Sequence, residues 1–581
     1  NEPPVPGDPT TAGEMWPAMN GGSGVGEVTA PVVYVNYGLS EDYDILADSG
    51  VDVRGKIVIA RYGRSFRGIK AREAESHGAA GLLMYSDPQD DGFFRGDVYP
   101  EGPMRNSDGV QRGSIFNGNG DPSTPGWAST EDARRLPSDS MGLSHIPVIP
   151  IGYGNASLIL EKMKGPDIPQ DWQGGLPFRY HMGGERVRVR MGVWAERGER
   201  GYKSIINTFG RIEGSEWPDE VVIAGGHRDA WGPGAVDNVS GIVSLLEAAR
   251  AMGTALEEGF RPRRTVVFAT WDAEEWGLVG ATEWVESREE ELVERVVAYL
   301  NQDVAASGRN FSSSATPSLY PFIREVAGAV TQPGDTVSIH QAWRKDEEVA
   351  DTAMVMPGVL GGGSDFEGFY NHLGIPALDF GFGGPGGTYH SAYDTWTWME
   401  TFGDPGYLSH TAAGKVTAVM MARLANADVV PFDYESFALH LDTLAGEVRT
   451  RSDSLGWTLP LDSLDAAIQT LMAEGVRFNH LRQLGLEGGT PSPSELAEIN
   501  EIVQQVEQAM TREEGLVGRP WRRNLIYASD RNNGYANIPL PSINEAIEDG
   551  DEDRAVREVL DLAARINDAA TTVREAAEIM E

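Results

Sequence analysis

A chain of 581 residues should divide into several domains, each able to bury a core of its own. Its formal net charge of −39 argues against nucleic-acid partners, and its lack of cysteine excludes disulfides and thiolate metal sites, leaving histidine and carboxylate to hold any metal. No run of about 18 apolar residues occurs, so no segment reads as a membrane span; the opening "NEPPVPGDPTTAG", without an initiator Met, reads as a processed or truncated start, with export (periplasmic or extracellular) as the expectation.

Gly and Pro crowd the first 54 residues around one strand candidate, "PVVYVNYG". Residues 55–88 read as a βαβ unit, with a strand in "GKIVIARYG", a helix over about 66–77 and a second apolar strand in "GLLMYSDP". The stretch 89–145 is loop-like, and "ERVRVRMGVWAE" then alternates as a strand does. Between 201 and 427 the short apolar strands "EVVIAGG", "RTVVFATW", "RVVAYLNQD" and "IPALDF" each end in polar residues. "SGIVSLLEAARAM" is the helix after the first of them. This alternation predicts an α/β fold with a mostly parallel sheet and a ligand site at the strand C-terminal ends. Beyond 428 the strands stop. Leu461, Leu464, Ile468 and Leu471 keep helical spacing, as do Leu496, Ile499, Val503 and Val506, and then Val556, Leu560, Ala563 and Ile566. The expected domains are therefore 1–200, 201–427 and a helical 428–581.

Four strand ends carry the chemistry: "GGHRDAWGPGAVDNVSG", "WDAEEWG", "NQDVAAS" and "GTYHSAYDT". Taken singly, each has a bland reading: a structural histidine, a carboxylate pair serving a helix dipole, an N-cap aspartate. Together they supply what a two-zinc site needs, imidazoles and carboxylates with one carboxylate between the ions. His227 and Asp303 can hold one ion, Glu275 and His390 the other, and Asp237 can bridge. If side chains diverge along the chain, Glu274 cannot ligate as its neighbour does and is left free to act as general base, while Asp229 can orient the His227 ring.

"GGHRDAWGPGAVDNVSG", "WDAEEWGLVGATEW" and "YHSAYDT" resemble the co-catalytic zinc aminopeptidases and carboxypeptidases. Within them the chain is most similar to the glutamate carboxypeptidase II family, which also contains the transferrin receptor. "GKIVIARYG", "GVQRG", "GDPSTPGW" and "IPVIPIGYG" resemble that family's protease-associated (apical) domain, "LGGGSDFEGFYNHLGIP" its catalytic domain, and "RNLIYASDRNNGYA" its helical dimerisation domain. The resemblance implies a zinc exopeptidase fold, two Zn2+ on the five ligands above, Glu274 as base, and a homodimer. It also implies a structural Ca2+ on Thr124, the Trp127 carbonyl, Glu283 and Glu286; the last two share a helix face. Relatives carry a further stretch before "EPP", so either an associated N-terminal fragment or a sequence that simply omits that stretch is expected.

For the substrate, the resemblance implies that Arg67, Tyr389 and Tyr535 grip a peptide's terminal carboxylate, a role that suits a planar guanidinium and two hydroxyl donors. Ser364 falls among its substrate contacts. Gly534 stands where the family has its pocket lysine and Ser114 where it has an asparagine. Asp379 and Gly381 replace an arginine cluster, and Asp379 should repel an acidic penultimate residue. The expected activity is thus a carboxypeptidase on short peptides without strict glutamate specificity. An aminopeptidase and a catalytically silent receptor-like protein are the rivals.

Overall fold

The computed structural model describes residues 2–196, 201–350, 353–488 and 491–581, so the expected boundary at 200 abuts a segment outside the described residues. Residues 26–193 build a five-stranded sheet from β1 (Gly26–Tyr34), β2 (Ile57–Arg61), β3 (Gly81–Tyr85), β4 (Val148–Ile151) and β5 (Gly183–Val193), in the order β4-β3-β2-β1-β5. The first four are parallel and β5 returns antiparallel to β1. β2 and β3 are buried at every position, which is why they read as unbroken apolar runs, whereas the β5 edge alternates. Helix α1 (Arg67–Ser76) joins β2 to β3 and buries its first turn, Arg67 and Lys70 included.

The second sheet holds β6 (Thr208–Ile212), β7 (Trp217–His227), β8 (Arg264–Trp271), β9 (Val296–Asn301), β10 (Asn310–Ala315) and β11 (Ala377–Gly383), ordered β10-β11-β9-β7-β8-β6. Its four central strands are parallel and both edges antiparallel, the mostly parallel α/β sheet expected. His227 pairs with Trp271, and Asn301 with both Gly225 and Asp379, so the central strands stop at one level and the turns after them meet.

Helix α2 (Val239–Glu257) follows β7 and is long and apolar enough to cross a membrane by length and composition. Here it packs Leu245, Ala248 and Met252 inward against β7 and a later helix, so its apolar face belongs to the core. Helix α3 (Val279–Glu286) follows the turn after β8, and α4 (Leu408–Asn426) is the partner of α2.

Helices α5 (Tyr434–Leu455), α6 (Leu461–Gly488), α7 (Pro493–Gln508), α8 (Pro541–Glu548) and α9 (Glu552–Met580) form the C-terminal region. Their apolar faces share one continuous core with the second sheet, whereas the first sheet has its own. In α9 the buried stripe is Ala555, Val559, Leu562, Ala563 and Ile566, and Leu560 is 47% exposed. Of the expected stripe, Val556 is half-buried and packs against the core and Ala563 and Ile566 are buried, but Leu560 faces outward and Val559 takes its place in the buried face.

Candidate metal and substrate site

The turn after each central strand delivers one part of the site. β7 ends at His227, whose Nδ1 lies 3.0 Å from the Asp229 carbonyl. That contact leaves Nε2 to face the carboxylates, 3.1 Å from Asp237 Oδ1 and 3.2 Å from Asp303 Oδ1. His390 Nε2 in turn lies 3.1 Å from Asp237 Oδ2 and 3.2 Å from Glu275 Oε2. The result is two triads, His227–Asp237–Asp303 and His390–Asp237–Glu275, in each of which the ligand atoms fall within 4.8 Å of one another. Asp237 belongs to both. Asn238, next in the chain, caps α2 and donates to the His227 and Gln302 carbonyls, which fixes the turn that carries Asp237.

Backbone strain concentrates here. His390 itself, Ala273 just before Glu274 and Val304 just after Asp303 adopt left-handed φ values between 51° and 58°. The Ala273 turn sets Glu274 and Glu275 on different headings: Glu275 enters its triad, while Glu274 Oε2 stays 3.8 Å from His227 Nε2. Asp229 meets the ring through its main-chain carbonyl, whereas its carboxylate lies 3.7 Å from His227 Nδ1. Its carboxylate accepts from the Glu274 and Glu275 backbone N–H groups (3.0 and 3.3 Å), tying the β7 turn to the β8 turn.

The electrostatics call for a cation. Burial pushes the Glu274, Glu275 and Asp365 carboxyls well above the usual range. Burial opposes a charged His227, but Glu274 and Asp303 outweigh it and raise that imidazole well above its ordinary value. Glu275 Oε1 is buried without a hydrogen-bond partner among the described residues, as are both Asp365 oxygens. A buried surplus of carboxylates around two imidazoles, with oxygens left unpaired, is the donor set that divalent zinc fits.

A cavity of about 450 Å³ opens beside the two triads and is walled by Arg67, Ser114, Tyr389, Gly534 and Tyr535. Arg67 Nη2 donates to Tyr389 Oη (3.3 Å), and Tyr389 stacks on His390 with ring centroids 3.7 Å apart. Among the described residues Arg67 has no carboxylate partner. The other lining arginines do: Arg72 with Glu73, Arg519 with Glu545, Arg522 with Glu367, Arg531 with Asp549. Gly113 lets the Arg67 guanidinium lie flat, since a Cβ there would meet its Cζ at 2.4 Å. Gly534, at φ +85°, would place a Cβ 2.6 Å from that of Phe66, so no lysine fits at this position without moving the loop.

Two expected contacts lie elsewhere. Ser364 does not line the cavity; its hydroxyl donates to Asp303 Oδ2 (2.7 Å) and accepts from Asn301, holding a triad member from behind. Asp379 faces Asn301 Nδ2 (3.1 Å) inside the sheet, where burial pushes its carboxyl up to about 8. Neither it nor Gly381 lines the cavity wall. Sequence reasoning missed Asp394, whose carboxylate accepts from the Val236 and Asp237 N–H groups (2.9 and 3.1 Å). Its place four residues after His390 in "YHSAYDT" was the available signal.

A second polar cluster joins α3 to the loop of residues 120–135. Glu283 accepts from the Asp121 and Ser129 N–H groups (2.6 and 2.5 Å), and Glu286 from Trp521 Nε1 (2.8 Å). Thr124 Oγ1 and Glu286 Oε2 are buried without hydrogen-bond partners among the described residues. Trp127 sits in the same loop, its indole bonded to the Arg134 carbonyl.

Comparison with known proteins gives three family matches: peptidase family M28 over residues 207–403, a transferrin receptor-like dimerisation domain over 459–574 and a PA domain over 28–122. The chain is 36% identical to an Arabidopsis thaliana protein named "Probable glutamate carboxypeptidase LAMP1" over 93% of its own length and 77% of the relative's. It is 32% identical to "Aminopeptidase NAALADL1" of Rattus norvegicus, covering 87% of this chain and 71% of that one. Superposition on the Bacillus subtilis zinc aminopeptidase BSAP gives a TM-score of 0.40 at 17% identity, over 71% of this chain and 78% of that one.

Proposed function

The chain belongs to peptidase family M28, and we propose that it is a dinuclear zinc carboxypeptidase acting on short peptides. The observation that carries this reading is a guanidinium without a carboxylate partner among the described residues, Arg67, set with two tyrosines in the wall of the cavity that the triads also line. A peptide's terminal carboxylate completes that arrangement, and a charged hydrogen bond in a sheltered site is worth roughly 1.5–3 kcal/mol. An aminopeptidase has the rat relative's name in its favour, but Arg67 would repel a terminal ammonium.

His227 and Asp303 would hold one zinc, His390 and Glu275 the other, with Asp237 shared. Zinc in such a pair supplies Lewis-acid polarisation of the scissile carbonyl and acidifies the attacking water. Glu274, buried beside the triads and outside both, takes the proton of that water on its carboxylate and passes it to the departing amine. Asp229 holds Glu274 and Glu275 in register through their backbone N–H groups, and Arg67, Tyr389 and Tyr535 hold the leaving residue by its carboxylate. Because each other lining arginine already faces a carboxylate, and Gly534 and Ser114 offer no cation, a C-terminal glutamate gains little over a neutral residue.

Thr124, Trp127, Glu283 and Glu286 would hold a structural calcium, a reading supported by the buried Thr124 Oγ1 and Glu286 Oε2, which have no partner among the described residues. Without the cation, burial raises Glu283 from 4.5 to about 7 and Glu286 to about 8. The folded chain then retains protons that the unfolded chain has released, so these groups cost stability as pH rises from 4.5 through about 8. Calcium binds the deprotonated pair and reverses that loss. Its increment in Tm should therefore be larger at about pH 8.5 than at about pH 5.5. Equal increments, or none, in a calcium titration followed by calorimetry would count against the site.

Self-association through residues 428–581 is the arrangement that fits the dimerisation-domain match. Light scattering should give a dimer, and a monomer alone at micromolar protein would contradict it.

A further inference from the structure

The opening segment reaches into the back of the metal centre. Glu2, its side chain 1% exposed, pairs with the equally buried Arg112 (Oε2 to Nη2, 2.5 Å). Its Oε1 also accepts from the Val110 and Ala392 N–H groups at 2.9 and 3.0 Å. Arg112 brackets His390 with its main chain. Its N–H donates to the His390 carbonyl (3.1 Å), and its carbonyl lies 3.2 Å from His390 Nδ1. A ring that donates from Nδ1 to a fixed carbonyl presents Nε2 as the free ligand atom, and Nε2 is the atom that meets Asp237 and Glu275.

The same segment grips the loop beyond His390 at three further points. The Tyr393 hydroxyl donates to the Pro3 carbonyl (3.0 Å). Val5 packs in a small apolar cluster with Val236, Ala392, Tyr393, Trp398 and Met399. Asp8 accepts from the hydroxyls of Tyr99 (2.7 Å), Thr395 (2.6 Å) and Thr397 (3.0 Å). Between these holds lies Asp394, whose carboxylate fixes the Asp237 backbone. The His390 ring, which belongs to one triad alone, thus sits at the head of a loop clamped by residues 2–8.

We propose that residues 2–8 are a positioning strap for the metal centre, with Glu2 a positioning residue that orients His390 through Arg112. The inference rests on the reading of His390 as a zinc ligand. Zn2+ alone, titrated into the metal-depleted full chain and followed by calorimetry, tests it. The wild type should bind two ions. Glu2→Gln removes the charge facing Arg112 but keeps the side chain's shape. It should weaken one of the two steps by roughly ten- to a hundredfold and leave the other within about twofold, the scale on which partners of ligating histidines act. A general loss of stability would lower Tm without singling out one step. Asp8→Asn, which touches neither Arg112 nor His390, serves if Glu2→Gln does not fold, and it should weaken the same step by a smaller factor. Two unchanged affinities in the folded variants, or equal losses in both steps, overturn the strap. A wild type that takes up fewer than two zinc ions overturns the dinuclear reading itself, and the strap with it.

Discussion

Replacing Glu274 with Gln is expected to lower kcat by about a hundred- to ten-thousandfold while both triads keep their metal ligands. Glutamine has the size of glutamate and can still donate or accept a hydrogen bond, but it cannot take a proton from water at neutral pH. Glu274 belongs to neither triad and reaches only within 3.8 Å of His227 Nε2, so its loss removes no donor from the metal set. Asp229 holds it through its backbone N–H, a contact the substitution leaves intact. Zinc content should therefore stay at the wild-type level and Tm should move little. Turnover near the wild-type rate would mean that another group accepts the proton; lost zinc would mean that Glu274 is a ligand after all.

Arg67→Met should act on a different quantity. The methionine fills most of the volume beside Gly113 and Phe66 but ends the only guanidinium in the cavity wall that lacks a carboxylate partner among the described residues. The loss of a charged hydrogen bond, roughly 1.5–3 kcal/mol, predicts a ten- to hundredfold fall in kcat/KM for peptides with a free C-terminal carboxylate, carried mainly by KM. Wild-type kinetics on matched dipeptides ending in Glu and Gln then read the side-chain pocket, and the two should differ by less than about tenfold. An unchanged KM in Arg67→Met would show that the substrate's carboxylate lies elsewhere. A strong preference for Glu would show that one of Arg519 and Arg522 serves the side chain despite its own carboxylate partner.

The parts of this fold that are legible in the sequence are those where one residue type has one job. β2 and β3 read as strands because every position is buried, and the central strands of the second sheet announce the site because polar residues follow each apolar run. The triads could be proposed from the motifs because histidine and carboxylate at strand ends have few bland alternatives once they occur together. The pocket was less legible. A motif aligns Ser364 and Asp379 with positions but does not say which way they face, and both turn toward Asn301 rather than toward the cavity. Gly534 reads as a missing lysine, whereas its φ of +85° and the nearby Phe66 show a loop shape that excludes one. Glu2 and Asp394 were hidden for another reason. Their effect passes through backbone groups of Arg112 and Asp237, and such contacts leave no spacing pattern in the chain.

The most direct test of the account is which end of a peptide is trimmed. A mixture of peptides, each made with a free C-terminus behind a blocked amine and again with a free amine before a C-terminal amide, would be digested by the zinc-loaded wild type and read by mass spectrometry. The account predicts loss of the last residue from the free acids and intact amides, because only a carboxylate completes Arg67, Tyr389 and Tyr535. Removal of the first residue from the amides, with the blocked acids untouched, would contradict it.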